Sequence, residues 1–250
     1  MAKAEDEGGG MGDMSYYSDQ LERKSADILN SYINVRQSYT TVPDVADIKL
    51  EKNEGVLVDA TYVYCDMDGS TKLAQSIKKP VVAKILRSYL NGATSILARY
   101  GGAIRGFDGD RVLAVFIGDD KETKAVRAAL AVNWLVHGYL REKINETWTD
   151  IAQHWNLNHG VGVDSGEALI TRTGIRGDND LISCGSAPNT AAKLTETGTG
   201  IYITKEVYEP MSNDVAFSDG GQPMWSGPMF KTIGNRVFTV YSSFWHWAPA

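Results

Sequence analysis

The sequence is poor in cysteine, in long apolar runs and in positive charge. Its 250 residues include only two cysteines, Cys65 and Cys184, and neither has a metal-ligand partner at short spacing. This argues against a zinc site or a disulfide scaffold and predicts two buried free thiols in a reducing compartment. No stretch approaches the roughly 18–20 apolar residues of a transmembrane helix. The N-terminal stretch MAKAEDEGGGMGDM lacks the basic start and apolar core of a signal peptide.

The charge balance excludes a further class of protein. The formal net charge is −6, whereas a protein that binds nucleic acid generally is normally basic. Hydrophobic residues make up 43% and charged residues 22% of the chain, which is typical of a globular domain with a sizeable core. We therefore expect a cytoplasmic protein with no membrane span and no nucleic-acid partner.

Composition shifts divide the chain into three parts. Residues 1–14 are acidic and glycine-rich and are predicted to form a disordered tail. Residues 15–54 are predicted to form a helical extension, with Leu21, Ile28 and Leu29 at helical spacing up to about residue 40, followed by a connector. Residues 55–250 are predicted to form the main domain.

The order of elements in the main domain indicates its fold class. Periodicity and turn residues predict a strand at 56–66, a helix at 80–100, a hairpin at 103–116 and a helix at 122–147. A strand, turn and strand follow at 157–175, then a short strand, a helix at 186–197 capped by Ser186, and late strands. Helices interleaved with hairpins favour an α+β, ferredoxin-like domain, with helices on one face of a mostly antiparallel sheet.

The stretch YVYCDMDGST runs an apolar strand into two carboxylates, Asp66 and Asp68. Negative charge at a buried strand end is costly unless a cation compensates it. An EF-hand loop is excluded, because its glycine would be at position six and here Gly69 is at position four. A phosphatase of the haloacid-dehalogenase type, with Asp66 as nucleophile and Asp68 as general acid, fits locally. That fold requires parallel crossovers, whereas this chain has hairpins.

A third interpretation uses a second carboxylate, Asp110, which is predicted to lie on a strand of the hairpin GFDGDRVLAVF, 44 residues after Asp66. A ferredoxin-like sheet places the first strand beside this hairpin. The two carboxylates would then hold two divalent cations about 3.5–4 Å apart, as phosphoryl transfer requires. Taken alone, Asp110 is equally explained as a turn residue beside Asp108-Gly109.

Four stretches in order, spanning about residues 60–240, resemble the motifs of class III nucleotidyl cyclases. They are YVYCDMDGSTKL, GGAIRGFDGDRVLAVF, HGVGVDSGEALI and CGSAPNTAAKL. The resemblance implies a cyclase domain that converts a nucleoside triphosphate to a 3′,5′-cyclic monophosphate and pyrophosphate. It also implies two divalent cations per site, Mn²⁺ or Mg²⁺.

The resemblance assigns roles residue by residue. Asp66 and Asp110 would ligate both cations, and the backbone carbonyl of Met67 would ligate one of them. The loop of Gly69, Ser70 and Thr71 would offer backbone N–H groups to the terminal phosphates.

A second set of residues completes the implied site. Asn189 would orient the ribose, and Lys193, where the family has arginine, would meet the charge developing on the α-phosphate. The family builds its site between two domains, and this chain carries each set once. The resemblance therefore implies a head-to-tail homodimer with two shared sites.

The chain departs from the family at the positions that read a purine base, which fall at Gly106 and Ile182. Neither side chain can hydrogen-bond to adenine, which argues against a dedicated adenylate cyclase. Over nearly its whole length the chain resembles the pyrimidine cyclases of bacterial Pycsar antiviral defence, which implies a pyrimidine nucleoside triphosphate as substrate, with UTP favoured, and a separate effector that reads the cyclic nucleotide. Cytidylate, adenylate or guanylate cyclase activity, and a catalytically dead regulatory module, remain open alternatives.

Overall fold

The computed structural model describes residues 9–249, without the side chains of residues 9–13 and 15. Its helices and strands alternate irregularly along the chain. The helices are α1 Gly9–Asn30, α2 Ser70–Ser76, α3 Lys79–Arg99, α4 Lys121–Trp134, α5 Arg141–Thr147, α6 Thr149–Ala152, α7 Ser186–Leu194, α8 Lys205–Tyr208 and α9 Asn213–Ala216, with a π-helical turn at Leu135–Leu140. The strands are β1 Asn34–Ser38, β2 Glu54–Asp68, β3 Ala103–Asp108, β4 Arg111–Ile117, β5 Asn158–Ile175, β6 Asp178–Gly185, β7 Gly200–Thr204, β8 Ser226–Ile233 and β9 Arg236–Ser243.

The strands form one mixed sheet in the order β3-β4-β2-β5-β7-β9-β8, with β1 paired to β2 and β6 paired to β5. The pairs β1–β2 and β5–β7 are parallel and the other pairs are antiparallel. Strands β2, β3, β4 and β5 with helices α3 and α4 have the chain order and sheet order of a ferredoxin-like unit. The predicted fold class is confirmed.

The core lies on both faces of the sheet because successive side chains of β2 point to opposite faces. Val63 and Cys65 pack in the cluster formed with α3 and α4. Ala60 and Tyr62 pack instead in the cluster that contains residues of α7. The prediction that helices cover only one face is therefore wrong, since α7 packs against the other.

The predicted turn inside residues 157–175 is also wrong, because β5 runs unbroken through that stretch. Residues 158–171 pair with β2, and residues 168–175 pair with β6. Ser165-Gly166, a common turn dipeptide, stays extended since each residue has a partner on β2. The chain turns at Arg176-Gly177, where Gly177 has φ +97°.

The N-terminal extension is helical only as far as Asn30, so the predicted helix is wrong over residues 31–40. Asn53 Nδ2 donates to the carbonyl oxygens of Ile28 and Ser31, at 3.0 and 3.1 Å, where the helix has carbonyls without an intrahelical partner. The chain then enters β1, which pairs with the start of β2. Helix α1 takes in residues 9–14 of the predicted tail, and residues 1–8 lie outside the described residues. The three domain boundaries stay predictions.

Two smaller predictions are also wrong. Cys65 is buried but Cys184 is exposed, because β6 has its outer face in solvent and its side chains alternate in exposure. Helix α7 begins at Ser186 itself, so Gly185 occupies the N-cap position and Ser186 does not cap the helix.

Between residues 9 and 249, none of the helices has the length and apolar character needed to cross a membrane.

Helix α7 packs so closely on β5 that Gly162 has no room for a side chain. A Cβ built at Gly162 would lie 2.0 Å from the carbonyl oxygen of Ala191. We expect Gly162→Ala to lower the free energy of unfolding by about 1–3 kcal/mol, measured by urea unfolding with circular dichroism. Gly166→Ala on the same strand is the control, since its Cβ would lie 3.6 Å from Ala187 Cβ, an ordinary contact. Equal midpoints for the two variants would contradict the prediction.

Candidate active site

The site is built where β2 ends and the chain turns into α2. Asp66 and Met67 are among the last three residues of β2, and Gly69 forms the turn with φ +71°. That conformation favours glycine, and a Cβ there would also lie 3.1 Å from Trp155 Nε1. The turn therefore places Ser70 and Thr71 at the start of α2, directly beside the strand end.

The hairpin β3–β4 brings the second carboxylate to the same place. In the pairing of β2 with β4, Asp66 lies opposite Arg111. Asp110 directly precedes Arg111, so it is one residue away from the position opposite Asp66. Asp110 lies in the two-residue turn with Gly109, not on a strand as predicted. The tip of the hairpin therefore lies beside the carboxylate of Asp66 at the end of β2.

These elements enclose one open cleft of about 430 Å³. Its walls come from the end of β2, the start of α2 and the β3–β4 turn. The lining residues are Asp66, Met67, Gly69, Ser70, Thr71, Asp108, Gly109, Asp110 and Arg111. The cleft thus gathers six of the residues that the motifs single out.

Arg111 neutralises Asp66 in this cleft. Its Nη2 lies 2.8 Å from Asp66 Oδ2, and the two side chains are 26% and 21% exposed. The hydrogen bond to Asp66 raises the pKa of Arg111 above its ordinary value. Sequence reasoning missed this residue, although its place directly after Asp110 and opposite Asp66 was a usable signal.

The donor set of the cleft fits a divalent cation that is shared with substrate phosphates. Within the described residues, no cluster of three or more His, Cys, Asp or Glu side chains is arranged to hold a metal by itself. Mg²⁺ sites in phosphoryl-transfer proteins, however, commonly use one or two carboxylates, with phosphate oxygens and water as the other ligands. Asp66 and Asp110 supply those carboxylates, and Met67 adds a carbonyl oxygen. A cation binding there would compete with Arg111 for Asp66.

A buried histidine lies behind the cleft, opposite Met67 in the register of β2 and β5. His159 Nε2 is 2.9 Å from Asn133 Oδ1, and its Nδ1 is 3.4 Å from the hydroxyl of Tyr89. Burial lowers the pKa of His159 to about 3, so the ring is neutral and serves packing at physiological pH.

The second set of predicted residues does not line this cleft. Asn189 is exposed on α7, and its Nδ2 donates to the carbonyl oxygen of Gly185 at 3.1 Å. Lys193 forms an ion pair with Glu196 at 2.9 Å. It lines a separate cavity of about 270 Å³ with Glu196, Lys231 and the β8–β9 turn. One chain therefore does not bring both sets into a single cavity.

The two positions that the resemblance assigns to base reading lie on strands β3 and β6. Gly106 follows a bulge in β3, and a Cβ at this position would meet nothing within 4 Å. Ile182 lies on β6 and is 45% exposed. Neither residue lines the cleft that contains Asp66.

The fold decides against the phosphatase interpretation of Asp66 and Asp68. Strand β2 is antiparallel to both of its long neighbours, β4 and β5, whereas that interpretation requires parallel crossovers. Asp68 is exposed and does not line the cleft.

Comparisons with known proteins agree with this fold. The chain is 36% identical over 230 residues to a uridylate cyclase of Xanthomonas perforans, which covers 92% of this chain and 97% of that protein. It is 38% identical over 214 residues to a uridylate cyclase of Burkholderia cepacia, covering 84% of this chain and 90% of that protein. No protein-family model matches the chain.

Solved structures share the architecture at lower identity. The crystal structure of the guanylyl cyclase Cya2 superposes with a TM-score of 0.64 at 17% identity, covering 78% of this chain and 96% of that one. The adenylyl cyclase CyaB from P. aeruginosa gives a TM-score of 0.61 at 21% identity, covering 76% and 95%. The chain belongs to the uridylate cyclase family and has the class III nucleotidyl cyclase fold.

Proposed function

We propose that the protein is a uridylate cyclase, which converts UTP to 3′,5′-cyclic UMP and pyrophosphate with divalent cations in a homodimer. The observation that carries the proposal is the cleft that gathers Asp66, Asp110 and the Gly69–Thr71 turn in a relative of proteins named uridylate cyclase. Such a cleft combines carboxylates for cations with backbone donors for phosphates.

Each side of the cleft has its own part in the reaction. Asp66, Asp110 and the Met67 carbonyl would hold the cations, and Gly69, Ser70 and Thr71 would receive the terminal phosphates. Bound divalent cations supply charge neutralisation and lower the pKa of a nearby hydroxyl. The ribose 3′ oxygen bonds to the α-phosphorus, the bond from that phosphorus to pyrophosphate breaks, and the hydroxyl proton passes to water.

A second copy of the chain would complete the site. The separation of Asn189 and Lys193 from the carboxylate cleft supports this arrangement. Asn189 of one copy would orient the ribose above the cleft of the other. Lys193 would leave its ion pair with Glu196 to meet the charge on the α-phosphate. Both side chains of the Lys193–Glu196 ion pair are exposed, so breaking the pair costs little free energy.

The base is proposed from the two positions that the resemblance assigns to purine reading. Gly106 and Ile182 offer no side-chain hydrogen bond to a purine edge, and sites built around such bonds discriminate strongly. The names of the two relatives favour uracil over cytosine.

The proposal is tested by incubating the purified protein with Mn²⁺ and each of ATP, GTP, CTP and UTP. Products are identified by chromatography and mass against cyclic standards. Cyclic UMP with pyrophosphate is expected. Cyclic CMP alone would change the base but keep the reaction, and cyclic AMP alone would overturn the argument from Gly106 and Ile182. No product from any nucleotide, with the protein folded and dimeric, would favour the regulatory module.

A lysine at position 106 is expected to shift the base preference towards purines. The open space around Gly106 can accept the side chain, which adds a hydrogen-bond donor. We expect Gly106→Lys combined with Ile182→Asp to raise the ratio of ATP to UTP turnover at least about tenfold. Gly106→Ala combined with Ile182→Ala is the control, because it changes shape without adding polar groups. An unchanged ratio in both pairs would show that base choice resides elsewhere.

We further propose that the cyclic nucleotide is read by a separate effector during antiviral defence in the cytoplasm. Support for this step comes from the resemblance to Pycsar cyclases. Cells that carry the cyclase together with an effector that responds to its cyclic product are expected to resist phage in a plaque assay. Resistance that survives Asp66→Asn would contradict a role for the cyclic product.

A further inference from the structure

Arg111 supplies the one positively charged side chain among the described residues that line the cleft of Asp66. Three of the other lining residues, Asp66, Asp108 and Asp110, carry carboxylates. A nucleoside triphosphate would bring further negative charge into the same space. A cation that lines the cleft is therefore a candidate to meet the phosphates directly.

Strand pairing holds Arg111 between two of these carboxylates. Arg111 begins β4, and it lies opposite Asp66 of β2 on one side and opposite Asp108 of β3 on the other. Directly opposite residues of a sheet have their side chains on the same face. The guanidinium binds Asp66, with Nη2 2.8 Å from Oδ2, and forms no ion pair with the exposed Asp108 in the described part of the chain. Asp66 is thus the carboxylate that holds Arg111.

The guanidinium of Arg111 has hydrogen-bond donors to spare. It carries five N–H groups in a fixed fork, and within residues 9–249 one of them donates a side-chain hydrogen bond, to Asp66. A bidentate pair with a carboxylate or a phosphate would use two. The side chain is partly exposed and lines the cleft, so its other donors can meet an incoming anion.

The proposed cations make a competing demand on Asp66. A carboxylate that bridges two divalent cations uses both of its oxygens, so Oδ2 would have to leave Arg111. A guanidinium and a divalent cation at one carboxylate also repel each other. Cation binding would therefore release Arg111 in the cleft that receives the phosphates.

We propose that Arg111 exchanges partners, holding Asp66 while the cleft has no divalent cation and binding the terminal phosphates of the nucleotide once a cation takes Asp66. The proposal rests on the proposed cyclase function, because that function brings cations and a triphosphate to this cleft. Gly69, Ser70 and Thr71 line the same cleft and would receive the same phosphates. Arg111 then contacts the substrate as a binding residue.

The exchange couples cation binding to phosphate binding. A cation on Asp66 frees Arg111 for a phosphate, and a phosphate on Arg111 frees Asp66 for the cation. Such coupling is reciprocal, so each ligand raises the affinity for the other by the same factor. A permanent pair of Arg111 with Asp66 would contribute nothing to this factor.

The first measurement is Mn²⁺ binding to the nucleotide-free protein, followed by the electron paramagnetic resonance signal of free Mn²⁺. Arg111→Gln is expected to bind Mn²⁺ about two- to fivefold more tightly than the wild type, because the cation no longer displaces a partly exposed ion pair. Lys72→Gln is the charge control, since Lys72 is exposed beside Thr71 and does not line the cleft. It should change the affinity for Mn²⁺ much less.

The second measurement is pyrophosphate binding at saturating Mg²⁺ by isothermal titration calorimetry. Arg111→Gln is expected to weaken pyrophosphate binding about tenfold or more, as loss of a hydrogen bond between charged groups does. Arg111→Lys keeps the charge but lacks the bidentate fork, so its affinity should lie between those of Arg111→Gln and the wild type. In the cyclase assay, the KM for UTP should rise more in Arg111→Gln than kcat falls.

Three results would overturn the proposal. Weaker or unchanged Mn²⁺ binding by Arg111→Gln would mean that Arg111 stays on Asp66 and supports it as a ligand. Unchanged pyrophosphate affinity would mean that Arg111 does not reach the phosphates. Equal changes in Lys72→Gln would reduce both effects to net charge.

Neither binding measurement needs turnover. Both therefore decide the proposal even if the wild type converts no nucleotide and the proposed function fails. Loss of one partly exposed ion pair should lower the melting temperature of Arg111→Gln by only a few degrees. If Arg111→Gln does not fold, Arg111→Lys decides, and pyrophosphate affinity equal to that of the wild type would contradict a bidentate contact.

Discussion

Replacement of Asp66 or Asp110 by asparagine is expected to reduce cyclic nucleotide formation by about 10³-fold or more, as loss of a main electrostatic contact in a transition state does. Both side chains line the cleft on neighbouring elements, the end of β2 and the β3–β4 turn. Asparagine keeps the shape but removes the charge that holds a divalent cation. The phosphates of the nucleotide would then enter the cleft without compensation.

The two variants should remain folded, which separates this prediction from simple misfolding. Asp66→Asn loses the ion pair with Arg111, and both side chains of this pair are partly exposed. Such pairs contribute up to about 1 kcal/mol, so the melting temperature should fall by only a few degrees. Asp110 lies in a turn, and its replacement should change stability even less.

Asp68→Asn is the matched control, because it makes the same change on the same strand at an exposed residue outside the cleft. It is expected to keep most of the wild-type activity. Product is measured by chromatography over a range of Mn²⁺ concentrations. Full activity in both Asp66→Asn and Asp110→Asn would refute the metal assignment, and equal damage from Asp68→Asn would require another role for this loop.

The sequence predicted most of the fold because the relevant signals are local. Apolar periodicity located β2, α3 and α4, and the Asp-Gly turn located the hairpin β3–β4. The errors arose where distant strands overrode a local signal. Ser165-Gly166 reads as a turn, but pairing with β2 keeps it extended. Residues 34–38 read as helix, but they pair beside β2.

No local sequence pattern predicts that α7 packs on the second face of the sheet. This packing depends on Gly160 and Gly162, whose role is visible only when Thr195 and Ala191 are seen against them.

The candidate site was predicted in two halves, and the structure brings only one half together. Motif spacing placed Asp66 and Asp110 in one cleft, and the strand register added Arg111. Asn189 and Lys193 line no cavity with them. In the proposed dimer the two halves meet across an interface, so this part needs an experiment with two kinds of subunit.

That experiment mixes two inactive variants, Asp66→Asn and Asn189→Ala. Each homodimer is expected to be inactive, because every site in it lacks either a metal carboxylate or the ribose contact. In the mixed dimer, one site collects both defects and the other collects none. Random pairing makes about half of the dimers mixed, each with one intact site of two, so about a quarter of wild-type activity should return.

The return of activity depends on which residues share a site, and this makes the result specific. Asp66→Asn mixed with Asp110→Asn is the control, since both defects fall on the same side of the interface and every site keeps one. Co-expression with two affinity tags isolates the mixed dimers, whose activity should be about half that of the wild type. If Asp66→Asn with Asn189→Ala stays inactive while isolated mixed dimers are folded, then the carboxylates and Asn189 act within one chain. In that case α7 must move towards the β2 end of its own subunit, and the close contact of Ala191 with Gly162 is the first barrier to such a movement.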